Sequence, residues 1–240
     1  MNKVIVCNWK MNGSIKYCNE TEEYFTNHIF ENLDIIISTP NVFFNYLNKD
    51  KLKICAQNCS SEKNGPYTGE TSVEMLNDVN IKYVLLGHSE RRKHFHETPD
   101  VILSKMSNAI ESNITTIVCV RRFSEDQQYI KSICGYLANF TSLNKDKKIE
   151  IIIAYEPDSS IGSGLTDSLY SIEDNYLKLK DAFSQLSQNQ VKVKILYGGS
   201  VNSKNASEIL KICDGILLGK ASLDINELDA ILKIANEIKS

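Results

Sequence analysis

The amino-acid sequence predicts a closed (β/α)8 barrel, an eight-stranded parallel barrel ringed by helices, and three observations predict this fold class. Eight short runs of apolar and β-branched residues recur along the 240 residues, as in strands buried on both faces. A helix candidate follows each run, and strict strand–helix alternation implies parallel strands with right-handed crossovers. Eight such units come close to the ~250 residues typical of this barrel. We therefore expect residues 1–240 to form a single barrel domain.

The predicted strands lie at 3–7, 34–38, 52–56, 81–86, 115–120, 149–154, 192–197 and 214–218. Apolar residues at three- and four-residue steps predict helices most clearly over 99–112, 124–140, 168–186, 203–212 and 225–238. Start signals are Thr98-Pro99 for the first of these, Ser203 for the fourth and Asp224 for the last. Residues 41–48 have a weaker pattern, which indicates a short or irregular helix.

An open doubly wound sheet is the structural alternative to the barrel. It would require a glycine fingerprint after the first strand, and the stretch VIVCNWKMNGS at 4–14 contains none.

The composition argues against nucleic-acid binding, membrane binding and a disulfide scaffold. The chain is 42% hydrophobic and 24% charged, with a net charge of −3, so no global field favours nucleic acid or an anionic membrane. Seven cysteines without a C-x-x-C pair suit a reducing compartment and argue against a disulfide scaffold. The chain enters a strand at once without a signal-peptide pattern, and no apolar run approaches the ~20 residues of a membrane span. We expect a cytoplasmic protein.

Polar residues stand at the ends of the predicted strands, where the chemistry of such barrels collects. Glu156 can take a proton, and Lys10 supplies fixed positive charge. His88 opens a helix, where unpaired N–H groups disfavour imidazolium and leave a neutral hydrogen-bond donor. The glycine-rich turns at 198–200 and 219–220 expose backbone N–H groups suited to phosphate. Each residue alone has a structural explanation, but their convergence on one face predicts an active site.

Metal ligation is not predicted. No group of Cys, His or carboxylate residues has the spacing of a metal site, and His94-Phe95-His96 lacks a third ligand.

Several motifs resemble those of the triosephosphate isomerase family, in the same order and over nearly the whole chain. They are NWKMN (8–12), CAQN (55–58), YTGE (67–70), LGHSERR (86–92), AYEP (154–157), IGSGLT (161–166), YGGSV (197–201) and DGILLGKASL (214–223). The resemblance implies a TIM barrel that interconverts dihydroxyacetone phosphate and D-glyceraldehyde 3-phosphate through an enediolate, without a cofactor.

The resemblance also implies residue roles. Glu156 would be the base, His88 and Asn8 would donate hydrogen bonds to the substrate oxygens, Lys10 would balance negative charge, and Glu90 would position Lys10. The implied phosphate-binding residues are Asn8, Lys10, Gly162, Ser200, Gly219 and Lys220.

A lid and a partner subunit are implied as well. The lid comprises Pro157, Asp158, Ser159, Ser160, Ile161, Gly162, Ser163 and Gly164. Ile161 and Leu217 would form a hydrophobic clamp over Glu156 when the lid closes. Thr68, in the long loop after the third strand, would reach into the active site of a partner, so the expected assembly is a homodimer.

The chain departs from the family pattern at three places. The family usually has Val-Trp-Ala at 158–160, where this chain has Asp-Ser-Ser, and a second glycine where it has Lys220. After the fifth strand the family usually has Gly-Glu, where this chain has Arg121-Arg122. Because strands five and six are neighbours in a barrel, we expect Arg121 or Arg122 to form an ion pair with Asp158.

Two other functions would share part of this pattern. A different phosphate-binding barrel enzyme, such as an aldolase, would share the glycine-rich turns but would require a Schiff-base lysine where this chain has Glu156. A binding protein that had lost its activity would have no need of a base.

Overall fold

Eight parallel strands close into a barrel in chain order in the computed structural model, which describes residues 2–157, 166–186 and 190–238. The strands are β1 Lys3–Asn8, β2 Leu33–Thr39, β3 Lys53–Ala56, β4 Tyr83–Leu86, β5 Thr115–Val120, β6 Ile149–Tyr155, β7 Val191–Tyr197 and β8 Gly215–Leu218. Strand β8 pairs with β1, with Val6 opposite Leu217. The predicted closed barrel is therefore confirmed, and the open sheet is wrong.

Helices follow the strands on the outside of the barrel. They are α1 Ile15–Asn27, α2 Val73–Asp78, α3 Ser89–Phe95, α4 Pro99–Glu111, α5 Phe123–Leu143, α6 Leu169–Ser184, α7 Ala206–Ile212 and α8 Ile225–Glu237. The five predicted helices correspond to α4–α8. The weak segment after β2 is a 3-10 helix, Asn41–Tyr46, and a second one, Lys220–Leu223, precedes α8.

Two of the three predicted helix starts are confirmed. Thr98 caps α4 and Asp224 caps α8, and each side chain accepts from backbone N–H groups of the first turn. The start at Ser203 is wrong, because α7 begins at Ala206. The backbone N–H and hydroxyl of Ser203 instead donate to the Glu227 carboxylate, at 2.7 and 3.1 Å.

The core has two layers, one inside the barrel and one between the strands and the helices. Cys55 and Cys119 lie in the inner layer, whereas Cys7 and Cys213 lie in the outer one. Burial raises the pKa of the Cys7 and Cys55 thiols to about 12, so these side chains stay protonated and pack as small apolar groups. All seven cysteines are free.

No helix within the described ranges is long and apolar enough to cross a membrane.

Candidate active site

The three most buried polar residues of the predicted site come together at the carboxyl ends of the strands. Asn8 ends β1, His88 follows β4 as the cap of α3, and Glu156 directly follows β6. Their exposed fractions are 3%, 5% and 2%. Because parallel strands all end at the same mouth of the barrel, residues far apart in sequence meet there.

His88 is held as a hydrogen-bond donor toward Glu156. Its Nδ1 accepts the backbone N–H of Glu90 at 3.2 Å, so the proton of the neutral ring lies on Nε2. Nε2 stands 3.2 Å from Glu156 Oε1. The helix start thus favours the tautomer that presents an N–H to the centre of the site, and the role of His88 as a neutral donor stays a prediction.

The backbone of Ser89 and the thiol of Cys119 also lie close to the Glu156 carboxylate. The backbone N–H of Ser89 lies 3.4 Å from Glu156 Oε2. Burial raises the pKa of the Cys119 thiol well above its usual range, and the adjacent Glu156 carboxylate raises it further. The thiol next to the carboxylate therefore stays protonated.

Lys10 combines an unusual backbone with an ion pair. Its φ is +53°, in the left-handed region that residues with a Cβ rarely adopt. The Nζ atom lies 2.7 Å from Glu90 Oε1. Burial is the largest single influence and raises the pKa of Glu90, but the hydrogen bond from Lys10 and the nearby positive charges together outweigh it, and the pKa is lowered. Glu90 is therefore placed to hold the Lys10 side chain in one position.

Gln57 supports this backbone, although the sequence analysis assigned it no role. Its Nε2 donates to Lys10 O at 2.9 Å and to Ser38 O at 3.1 Å, and lies 3.3 Å from Asn8 Oδ1. Asn8 Oδ1 also accepts the backbone N–H of Lys10 at 3.0 Å. The amide oxygen of Asn8 is thus occupied within the protein, which directs its NH₂ group elsewhere. The one available signal was the position of Gln57 directly after β3.

Two glycines allow side chains of the site to approach the backbone closely. A Cβ on Gly198 would stand 2.8 Å from Glu156 Cγ, and a Cβ on Gly219 would stand 3.4 Å from Lys10 Cε. The turns after β7 and β8 therefore lie beside Glu156 and Lys10 at the carboxyl end of the barrel.

Two further predicted phosphate residues, Ser200 and Lys220, lie on these two turns. The carbonyl of Ser200 accepts from Thr166 Oγ1 at 2.6 Å and from Asn205 Nδ2 at 3.1 Å, which ties the turn after β7 to the segment before α6. Lys220 is exposed. The φ angle of Lys220 is not positive, so its backbone accommodates a Cβ.

Several predictions concern residues outside the described ranges. These are the lid positions Asp158, Ser159, Ser160, Ile161, Gly162, Ser163 and Gly164, so the lid, the role of Ile161 in the clamp and that of Gly162 in phosphate binding stay predictions. Of the neighbouring residues, Pro157 is buried directly after Glu156, and Leu217 is buried in the inner core. Thr68 is exposed on the loop between β3 and α2.

Arg121 and Arg122 each have a carboxylate partner that was not predicted from the sequence. Arg121 Nη2 lies 2.8 Å from Asp126 Oδ1, and Arg122 Nη2 lies 3.1 Å from Asp167 Oδ1. The expected ion pair with Asp158 involves a residue outside the described ranges and stays a prediction.

Among the described residues, no group of three or more His, Cys, Asp and Glu side chains is arranged to hold a metal ion.

Comparison with known proteins points to one family. A model of the triosephosphate isomerase family matches residues 3–236. The chain is 34% identical to the triosephosphate isomerase of Francisella philomiragia, over 99% of each chain. It is 36% identical to that of Orientia tsutsugamushi, over 97% of this chain and 98% of the relative. Identity to the Aquifex aeolicus protein is 37%, over 93% and 96% respectively.

Proposed function

The chain belongs to the triosephosphate isomerase family and is an isomerase that interconverts dihydroxyacetone phosphate and D-glyceraldehyde 3-phosphate, and we propose that Glu156 carries the proton in this reaction. The observation that supports this most directly is the 3.2 Å approach of His88 Nε2 to Glu156 Oε1. A buried carboxylate beside a neutral N–H donor can remove a proton next to a carbonyl while the donor stabilises the oxygen.

The proposed mechanism moves one proton between the two carbons and one proton between the two oxygens, with no net change in composition. The Glu156 carboxylate removes a proton from the carbon next to the carbonyl, and the C–H electron pair forms the carbon–carbon double bond of an enediolate. The N–H of His88 and the NH₂ group of Asn8 donate to the two oxygens. Glu156 then returns the proton to the neighbouring carbon, while the hydroxyl proton on the first carbon's oxygen passes to the former carbonyl oxygen, which gives the isomeric triose phosphate.

Lys10 is proposed to stabilise the negative charge of the enediolate and the phosphate. Its ion pair with Glu90 and its left-handed backbone restrict where the ammonium can lie. Such preorganised charge stabilises a transition state without a reorganisation cost at the moment of reaction. The turns containing Ser200, Gly219 and Lys220 are proposed to bind the phosphate through backbone N–H groups.

The test is a coupled assay of the purified protein with D-glyceraldehyde 3-phosphate as the substrate, in buffer containing a chelator. We expect turnover by the wild type and its loss in Glu156→Gln, which keeps the shape but removes the base. Loss of turnover on addition of the chelator would contradict the cofactor-free mechanism. Full activity in Glu156→Gln would contradict the role of Glu156.

A homodimer is proposed from the surface beside the site. Large apolar side chains are exposed on the segments that follow β1 to β4. Their exposed fractions are 95% for Met11, 73% for Val42, 65% for Phe95, 53% for Met75 and 47% for Tyr67. A surface of this kind is typical of a protein–protein interface. We expect a dimer by light scattering, and Met75→Glu should shift it toward the monomer, whereas exposed Leu177→Glu on α6 should not.

A cytoplasmic location and the absence of nucleic-acid and membrane partners are proposed as well. Seven free thiols and the near-neutral charge balance of the chain support this. Fractionation of the source cells would test the location.

A further inference from the structure

We infer that Asp167, bound by Arg122 and Tyr155, is a positioning residue for Glu156. This inference rests on the proposed role of Glu156 as the base. Neither the family motifs nor the comparisons assign a role to the Asp167 carboxylate or to its pair with Arg122.

The contacts join the residue before the base to the segment before α6. Tyr155 directly precedes Glu156, and its hydroxyl donates to Asp167 Oδ2 at 3.0 Å. From the end of β5, Arg122 Nη2 donates to both oxygens of Asp167, at 3.1 and 3.2 Å. The backbone N–H of Asp167 donates to the Tyr197 hydroxyl at 3.1 Å. The residue before Glu156 is thereby connected to the segment before α6 and to strands β5 and β7.

Because the Asp167 carboxylate is buried and paired with a cation, we expect its removal to disturb the surrounding structure. The Asp167 side chain is 9% exposed and that of Arg122 is 39% exposed. Burial is the largest single influence and raises the pKa of Asp167, but the hydrogen bonds from Tyr155, Arg122 and Ser171 together with the charge of Arg122 outweigh it, and the pKa is lowered. Burial and the Asp167 charge also raise the pKa of Tyr155, so its phenol remains a donor. Removal of the carboxylate leaves a buried hydroxyl and a cation without this acceptor.

The connection to Glu156 follows from strand geometry. Successive side chains of a strand point to opposite faces, so Tyr155 points outward to Asp167 while Glu156 points inward to His88. The backbone between them is held by neighbouring strands, since Gly198 N–H donates to Tyr155 O and Glu156 N–H donates to Val120 O, both at 2.8 Å. Because Tyr155 and Glu156 share this stretch of backbone, we expect a shift of the Tyr155 ring to displace the carboxylate of Glu156.

The test compares Asp167→Asn with a control of the same chemistry away from the site. Asp229 on α8 also accepts from a tyrosine hydroxyl, Tyr24 at 2.9 Å, and from an ammonium, Lys233 at 2.7 Å. We expect Asp167→Asn to lower kcat about tenfold, because small displacements of a catalytic group are costly. Its KM and its inhibition by inorganic phosphate should stay within about twofold. Asp229→Asn should lower the melting temperature without lowering kcat.

A double-mutant cycle tests whether Asp167 acts through its partners. We expect Arg122→Gln to lower kcat about threefold, because the pair is partly exposed, and to add nothing in the Asp167→Asn background. Tyr155→Phe removes only the hydroxyl and should lower kcat in the same way. It serves as the test if Asp167→Asn does not fold.

Three results would overturn the inference: unchanged kcat in Asp167→Asn and Tyr155→Phe, fully additive effects of the Arg122 and Asp167 variants, or an equal loss of kcat in Asp229→Asn. An inactive wild type would instead contradict the isomerase function itself, so the two failures are distinguishable.

Discussion

The charged groups at the two ends of the barrel are positioned by different parts of the backbone. At the amino end, Asp34 of β2 binds Lys53 of β3 at 2.6 Å and Lys194 of β7 at 2.9 Å. These partners are strand residues with ordinary backbone. At the carboxyl end, Lys10 and Glu156 stand beyond their strands, and their positions depend on a positive φ and on a glycine neighbour.

The charged groups at the amino end therefore stabilise the fold, whereas those at the carboxyl end are placed for catalysis. Groups placed by the strands themselves pair within the protein and hold the barrel together, as expected for the amino face of such barrels. Groups placed by strand ends depend on local backbone features that have an energetic cost, and such strain is concentrated at functional sites. Variants at the carboxyl end should therefore change kcat or KM, and variants at the amino end should change the free energy of unfolding.

The largest expected effect is at the carboxyl end. Glu156→Asp keeps the charge but withdraws the carboxylate by about one methylene, and a displacement of ~1 Å can lower kcat on the order of 100-fold. KM and the melting temperature should change little. Steady-state kinetics and thermal unfolding check this, and kcat within a few-fold of wild type would show that Glu156 does not carry the proton.

The next effect is at the amino end and concerns stability. Asp34→Asn leaves Lys194, whose side chain is 4% exposed, without its closest carboxylate, and we expect a loss of about 2 kcal/mol in the free energy of unfolding. In the matched control Asp174→Asn, where the pair with Lys178 is exposed, the change should be below about 0.5 kcal/mol. Urea unfolding measures both, and kcat should be unchanged in both.

The Asp34 contribution should also depend on pH. Burial works to raise the pKa of Asp34, but the hydrogen bonds and the positive charges of Lys53 and Lys194 together outweigh it, and the pKa is lowered from its usual range. A lowered pKa means that the stabilisation is present above the unfolded-state value of about 3.9 and is lost as the pH falls through the folded value. The difference between wild type and Asp34→Asn should therefore shrink under acidic conditions. A constant difference down to the acid transition would contradict the ion-pair explanation.

A smaller effect is expected when the glycine beside the base is replaced. In Gly198→Ala the new Cβ would stand 2.8 Å from Glu156 Cγ, so the side chain must move, and we expect kcat to fall about tenfold. Gly135→Ala in α5 is the control, because its Cβ meets nothing within 4 Å and alanine favours a helix by about 0.5–1 kcal/mol. Wild-type kcat in Gly198→Ala would show that the glycine is not required for the placement of Glu156.

The smallest effect is expected at Lys220. Its exposed ammonium lies on the turn proposed to bind phosphate, so Lys220→Gly should raise KM about two- to threefold at low salt and less at high salt, because exposed charges are screened. A lower KM in the glycine variant would show instead that Lys220 strains the turn.

The alternation of strands and helices and the positions of the functional groups at strand ends were determined by the sequence itself. Both depend on local patterns: the spacing of apolar residues selects the element, and strict alternation selects parallel strands that end at one mouth. Asn8, His88 and Glu156 could be assigned to the site for this reason alone. The family motifs then supplied the reaction.

The partners of these residues were decided only by the tertiary structure. Lys10 binds Glu90 across 80 positions, Gln57 binds Lys10 across 47, and Arg122 binds Asp167 across 45. Ser203 looked like a helix cap but binds Glu227 instead. A hydrogen bond depends on distance and direction within a few tenths of an ångström. Closure of the barrel sets those distances, and no local pattern in the sequence encodes them.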